Sequence, residues 1–176
     1  MKIVLIVLGT LIAIVLLVVV AGWSLPVKHR ASRQATYPIT SPESLYAAIT
    51  SVEAFPTWRS KVTRVERVAS PTGAWGYRET GGDGAILYVV DEEVPSRRLV
   101  SRIADPSLPF GGAWTFDLLP NASSTIVRIT EDGEVYNPVY RFMSAYVFGH
   151  HATIDTYLTD LGRKFNTTVS ISDASR

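Results

Sequence analysis

The chain has 176 residues, with 17 Lys and Arg against 16 Asp and Glu, and no cysteine. That length suits one domain plus a targeting segment, and the missing cysteines exclude disulfides and thiolate metal sites. A formal charge of +1, with acids and bases interleaved, leaves no basic patch for a nucleic-acid partner.

The apolar residues gather at the start. No charged residue lies between Ile3 and Val27, and Ile3 to Ala21 is almost entirely Ile, Val and Leu. At about 1.5 Å per residue the run is long enough to cross a hydrocarbon layer of roughly 30 Å. A helix is the form such a segment takes in lipid, because it satisfies its own backbone hydrogen bonds. Trp23 at the end of the run suits the headgroup region. A cleaved signal peptide is the competing reading, with Lys2 as its basic end and Val19-Val20-Ala21 as a cleavage site. The run exceeds the roughly 7–15 apolar residues of such peptides. Residues 1–27 are therefore read as a transmembrane anchor and linker. Lys28, Arg30 and Arg33 beyond the run incline the following domain to the cytoplasmic side, and with His29 they could touch anionic headgroups.

Arg33 to Ile39 reads as a first strand, stopped by Pro38. Ser41 is a helix N-cap, Pro42 sits at the first helical position and Glu43 faces the positive helix end, so a helix runs through Ser44 to Ile49. It ends before Phe55-Pro56, and Thr57-Trp58-Arg59 makes a second short turn. From Lys61 to Tyr136 the pattern changes to short alternating segments: Val62–Ala69, Ala74–Thr80, Ala85–Val94, Arg98–Ala104, Ala113–Leu118 and Ser124–Glu134. Brief turns between consecutive strands, among them Pro71-Thr72-Gly73 and Gly81-Gly82-Asp83-Gly84, argue an antiparallel meander. Trp75, Tyr77 and Glu79 share one face by the period of two, as do Ile86, Tyr88 and Val90, and Trp114, Phe116 and Leu118. Asn137 caps a last helix with Pro138 at its first position. Val139, Met143, Val147, His150, Ile154, Leu158, Leu161 and Phe165 then recur at helical spacing as one apolar stripe. Residues 167–176 are small and polar and read as a disordered tail.

No set of catalytic residues can be located. His29, His150 and His151 are too few for a supported zinc site, and there is no Gly-x-Ser-x-Gly elbow. His150 falls on the apolar stripe, either as a core histidine bonded to a tyrosine such as Tyr88 or as a polar handle in a cavity. If Val127 and Ile129 face the last helix, Glu131 shares their side and Asp132 points outward. Glu131 then either fixes a ligand's polar end or belongs, with Asp132 and Glu134, to a solvated turn. Glu79 carries the same pair of readings. Gly81 to Gly84 is a hairpin rather than a phosphate loop, because a strand follows it. Leu108 to Gly112 is either a lid or an ordinary turn holding Phe110. Arg64, Arg67, Arg97 and Arg98 read as solvated faces. Trp58, Trp75, Tyr77, Tyr88, Trp114 and Phe116 line a pocket or simply fill the core.

A strand, a helix, six strands and a long helix make an α+β chain in which the amphipathic helix covers a curved antiparallel sheet of about seven strands. With Ser41-Pro42-Glu43 opening the first helix, Trp58 after it, Glu92-Glu93-Val94-Pro95 ending a strand, and Ile129-Thr130-Glu131-Asp132-Gly133-Glu134 before Asn137-Pro138, residues 28–166 resemble the START-like or polyketide cyclase-like (SRPBCC) helix-grip superfamily. The resemblance implies a deep cavity between sheet and last helix for hydrophobic or lipid-like ligands. Trp58, Trp75, Tyr77, Tyr88, Trp114, Phe116, Glu131, Met143, Val147 and His150 would line it, without metal or cofactor. Two alternatives stand beside this binding role: a cyclase or dehydrase moving protons with a cavity carboxylate or histidine, and a tethered protein-interaction domain.

Overall fold

The computed structural model describes residues 2–69, 75–82 and 84–174; the expected turn at Pro71-Thr72-Gly73 and residue Asp83 lie outside them. Helix α1 spans Lys2–Ser24, 23 residues or about 34 Å, and is long and apolar enough to cross a membrane. Strand β1, Lys28–Pro38, begins well before the expected Arg33. Its early half belongs to the sheet because Lys28 and Arg30 lie opposite Glu134 and Asp132 of the neighbouring strand, while Ala31, Ala35 and Tyr37 go into the core.

Helix α2, Pro42–Thr50, starts as its sequence dictates, with the Ser41 hydroxyl accepting the Ser44 N–H. It buries Leu45, Tyr46, Ala48 and Ile49. A 3₁₀ turn follows at Val52–Thr57, upstream of the turn expected around Trp58. The meander then runs as β2 (Val62–Ala69), β3 (Trp75–Gly81), β4 (Gly84–Val94), β5 (Arg98–Ile103), β6 (Phe110–Asn121) and β7 (Ser124–Val135). Each strand pairs antiparallel with the next, and β1 closes the far side against β7. Register shifts at Val62/Arg64 and at Val90/Glu92 mark irregularities of the kind that bend and twist a strand.

Two expectations at the C-terminal end are corrected. The single helix from Pro138 to Phe165 is instead α3 (Pro138–Met143), a π turn (Ser144–Phe148) and α4 (Ala152–Lys164). Gly149, at φ 74°, breaks the run in a left-handed conformation that suits glycine. Of these three pieces, α4 is the one that covers the sheet: Ile154, Leu158 and Leu161 are fully buried on it, and the Tyr37 hydroxyl donates to the Leu158 carbonyl at 2.8 Å. Helix α3 packs on the end of α1, where Gly22 lies so close to Pro138 that a Cβ would overlap its carbonyl. The polar tail is also partly ordered. Ile171–Asp173 forms β8 on the outer edge of β1, so the sheet has eight strands, in the order β2-β3-β4-β5-β6-β7-β1-β8. Val169 and Ile171 pack on the core and Asp173 accepts from Arg33 at 2.6 Å; two apolar side chains and one ion pair hold a segment whose composition looked unstructured. Ser175 and Arg176 lie outside the described residues.

Candidate functional site

The concave face of the sheet meets α4 through aromatic rings. Tyr157 of α4 lies 5.2 Å from Phe116 of β6 and 5.4 Å from Trp58, centroid to centroid. Phe55 stands edge-on to Trp58, Tyr77 and Tyr157. Tyr77 and Tyr88, opposite one another on β3 and β4, stack at 5.0 Å, and Trp114 completes the group at 6.3 Å from Tyr157. Rings thus occupy the middle of the grip, where the resemblance implied a deep cavity.

Polar groups are set into this cluster. Arg59 forms an ion pair with Glu79 of β3, both side chains about one-seventh exposed. The guanidinium lies over the rings of Phe55 and Tyr157, at 4.9 and 4.8 Å, where cation–π attraction adds to the pair. Burial opposes the Arg59 charge, but the field of Glu79 and the tyrosine oxygens outweighs it and holds the pKa above the ordinary value. Burial pushes Tyr77, Tyr88 and Tyr157 up, so all three remain neutral phenols. The loop carrying Trp58 and Arg59 is fastened to α4 by buried Asp160, which accepts the Ser60 N–H at 2.7 Å, the Ser60 hydroxyl at 2.8 Å and the Arg163 guanidinium. Two buried donors in the cluster, Trp58 Nε1 and the Tyr157 hydroxyl, have no partner. Buried polar atoms are nearly always paired, and these two donors are exceptions within the ring cluster.

A second cluster lies where β1 leaves α1. His29 stacks on His150 with centroids 4.0 Å apart, and His29 Nε2 is 3.8 Å from a Glu131 oxygen. Beside them a pocket of about 180 Å³ is lined by Leu25, Pro26, Val27, His29, Val135, Arg141, Ala145 and His150. Burial, then the nearness of His29, lowers the His150 pKa. Gly133 leaves room for the His29 ring, which a Cβ there would strike.

Comparison with known proteins fits this geometry. Residues 28–159 match the family model described as polyketide cyclase / dehydrase and lipid transport. The chain belongs to this family. Solved structures agree on the fold. A START superfamily protein from Mycobacterium smegmatis is 15% identical with a TM-score of 0.63, covering 78% of this chain and 97% of its own. XoxI from Bacillus cereus is 14% identical with a TM-score of 0.58, covering 80% and 96%. The di-domain ARO/CYC StfQ of the steffimycin biosynthetic pathway is 12% identical with a TM-score of 0.58; the match covers 77% of this chain and 49% of StfQ. No curated protein matches.

Within the cyclase/dehydrase and lipid transport fold, the expected site residues fall into four groups. Trp58, Tyr77, Tyr88, Trp114 and Phe116 meet in the ring cluster. His150 lines the pocket and stacks on His29, which in turn faces Glu131, and Tyr88 stacks on Tyr77 instead. Trp75 is drawn to the rim, where its indole N–H donates to Glu93 at 2.8 Å and Arg67 lies 4.3 Å over its ring. Met143 and Val147 leave the site, because they lie before the break on the segment that packs at α1; Val147 is 57% exposed. Phe110 opens β6 and, with Gly111 and Gly112, lines a separate groove of about 490 Å³ beside Arg102, Asp132 and Glu134. Sequence reasoning missed Arg59 and Tyr157. Tyr157 had a signal, since it lies three residues after Ile154 and four before Leu161.

Proposed function

We propose that this chain is a membrane-anchored receptor for a hydrophobic or amphipathic, lipid-like small molecule. Helix α1 is its anchor, and the ligand lies between the sheet and α4. The observation that carries this reading is the pair of unpartnered buried donors, Trp58 Nε1 and the Tyr157 hydroxyl, inside an apolar ring cluster. Apolar walls with a few convergent polar groups are what such sites consist of. The two donors suit a ligand's carbonyl or carboxylate oxygen, while Phe55, Trp114 and Phe116 receive its apolar body. Because rings fill this space, binding proceeds by their displacement; Trp58 and Trp114, only half-buried, are the ones with room to swing outward. Arg59 is already neutralised by Glu79, so one neutral or weakly polar head suits the site better than a multiply charged one. Tethering at a bilayer keeps the local concentration of apolar ligands high.

Native mass spectrometry of the full chain, released from nonionic detergent, tests this. The expected spectrum contains the chain plus one apolar molecule, with occupancy lowered several-fold in Trp58→Phe/Tyr157→Phe. The mass of the bare chain alone, in preparations to which fatty acid has been added, would falsify the reading.

A proton-transfer role rests on Glu131, His29 and His150 beside the 180 Å³ pocket. It requires that Glu131→Gln abolish turnover of a bound polyketide-like substrate with the unfolding midpoint unchanged.

A further inference from the structure

The segment joining β7 to α4 is apolar on the side that faces away from the protein. Tyr136, Val139, Tyr140, Tyr146 and Val147 are exposed by 49, 37, 52, 67 and 57%. Elsewhere among the described residues after α1, exposed large apolar side chains occur singly, at Val27, Ile39, Val94 and Leu119. Single exposures are ordinary, whereas five within twelve residues form a patch that needs a partner.

The position of the patch names the partner. Helix α3 is fastened to the lip of α1: Gly22 touches Pro138, Arg141 donates through Nη1 to the Leu25 carbonyl at 2.8 Å, and the Val135 N–H donates to the Val27 carbonyl at 2.9 Å. Trp23, 73% exposed, closes the apolar run of α1 next to that junction. Tyrosine and tryptophan are the side chains that settle at the boundary between hydrocarbon and water. The nearby cations are paired or turned away from the patch. Lys28 pairs with Glu134 at 3.4 Å, Arg30 with Asp132 at 3.2 Å, and Arg141 turns inward to backbone carbonyls. The patch is therefore apolar and electrically quiet, and it continues a helix built for lipid.

We propose that α3 and the π turn form a second membrane contact, lying in the interfacial layer of the bilayer that α1 crosses, with Tyr140, Tyr146 and Val147 inserted. The inference rests on the reading of α1 as an anchor. A spanning helix alone would leave the domain free to swivel; an in-plane contact fixes its tilt and holds the pocket at His29 and His150 against the lipid surface. Because the one cation on the segment, Arg141, is turned inward onto the Leu25 and Tyr136 carbonyls, the contact is insensitive to lipid charge.

The chain has no cysteine, so single nitroxide labels can be placed at Leu16→Cys, Tyr146→Cys, Val147→Cys and Thr159→Cys in the full protein, in phosphatidylcholine vesicles. Collision rates with oxygen and with a water-soluble nickel chelate report depth. Labels at 146 and 147 are expected to favour oxygen several-fold over the label at 159 on α4, with no change when phosphatidylserine is added. Labels at 146 and 147 as wet as 159, with 16 dry, overturn the interfacial contact and leave the anchor standing. A wet label at 16 overturns the anchor and the contact with it. Spin–spin broadening at 146 and 147 assigns the patch to a second copy and also overturns the proposal, as does a contact that forms only with phosphatidylserine.

Discussion

Arg59 and Glu79 are costly to separate. Both are largely buried, and removing one partner leaves the other as an uncompensated charge, a loss of about 3–5 kcal/mol in comparable buried pairs. Arg59→Met is expected to destabilise the chain by that amount in urea unfolding in micelles, and Arg59→Met/Glu79→Leu to recover much of it. Half of this pair was legible: the period of two puts Glu79 beside Trp75 and Tyr77. Arg59 was not, because it lies in an irregular loop where no periodicity assigns a face, and it is buried by the Asp160–Ser60 bonds that hold that loop to α4. His150 gives a second prediction at this scale. Its folded-state pKa is depressed, so the unfolded chain binds the proton more readily. Stability then rises with pH across the interval between the two values. The contribution is intact above the unfolded value of about 6.5 and falls away as pH drops below it. The unfolding midpoint should decline on acidification from neutrality to pH about 5. His150→Phe, which keeps a ring on His29 without a charge, should flatten that decline; an unchanged slope would assign it to other groups.

Among the elements, the meander and its faces were readable because strands such as β6 and β7 alternate and most connections carry glycine or proline. The break in the last helix was not. Val139, Met143 and Val147 continue the spacing of Ile154, Leu158 and Leu161, yet they are apolar for a different reason, being turned to α1 and outward. A periodicity argument sees one stripe where two surfaces are served. Only Gly149 hinted at the division, and an isolated glycine in a helical pattern is a weak signal. The Gly22–Pro138 contact is what sets α3 on α1. Gly22→Leu is expected to push the two apart, with amide exchange across residues 138–148 accelerated several-fold and that of α4 unchanged. Equal protection in both forms would mean that α3 is held by the domain alone.

At the level of the whole molecule, the N-terminal run, the curved sheet and the covering helix followed from hydropathy and pattern, and membership of the cyclase/dehydrase and lipid transport family agrees with the sheet and helix of residues 28–159. The contents of the grip did not follow. Whether rings line a hollow or fill it depends on how far facing side chains reach, which composition does not encode; here Phe116, Trp58 and Tyr157 meet in the middle. The central claim is that a lipid-like molecule enters that ring cluster. The most direct measurement uses the full chain in vesicles containing a diazirine-bearing fatty acid, photolysed and mapped by peptide mass spectrometry. Adducts on Trp58, Trp114 or Tyr157, reduced by excess unlabelled fatty acid, are the expected result, with those on α1 as an internal control. Adducts confined to residues 2–24 and 138–147 would contradict it, since only lipid-facing surface would then have been reached.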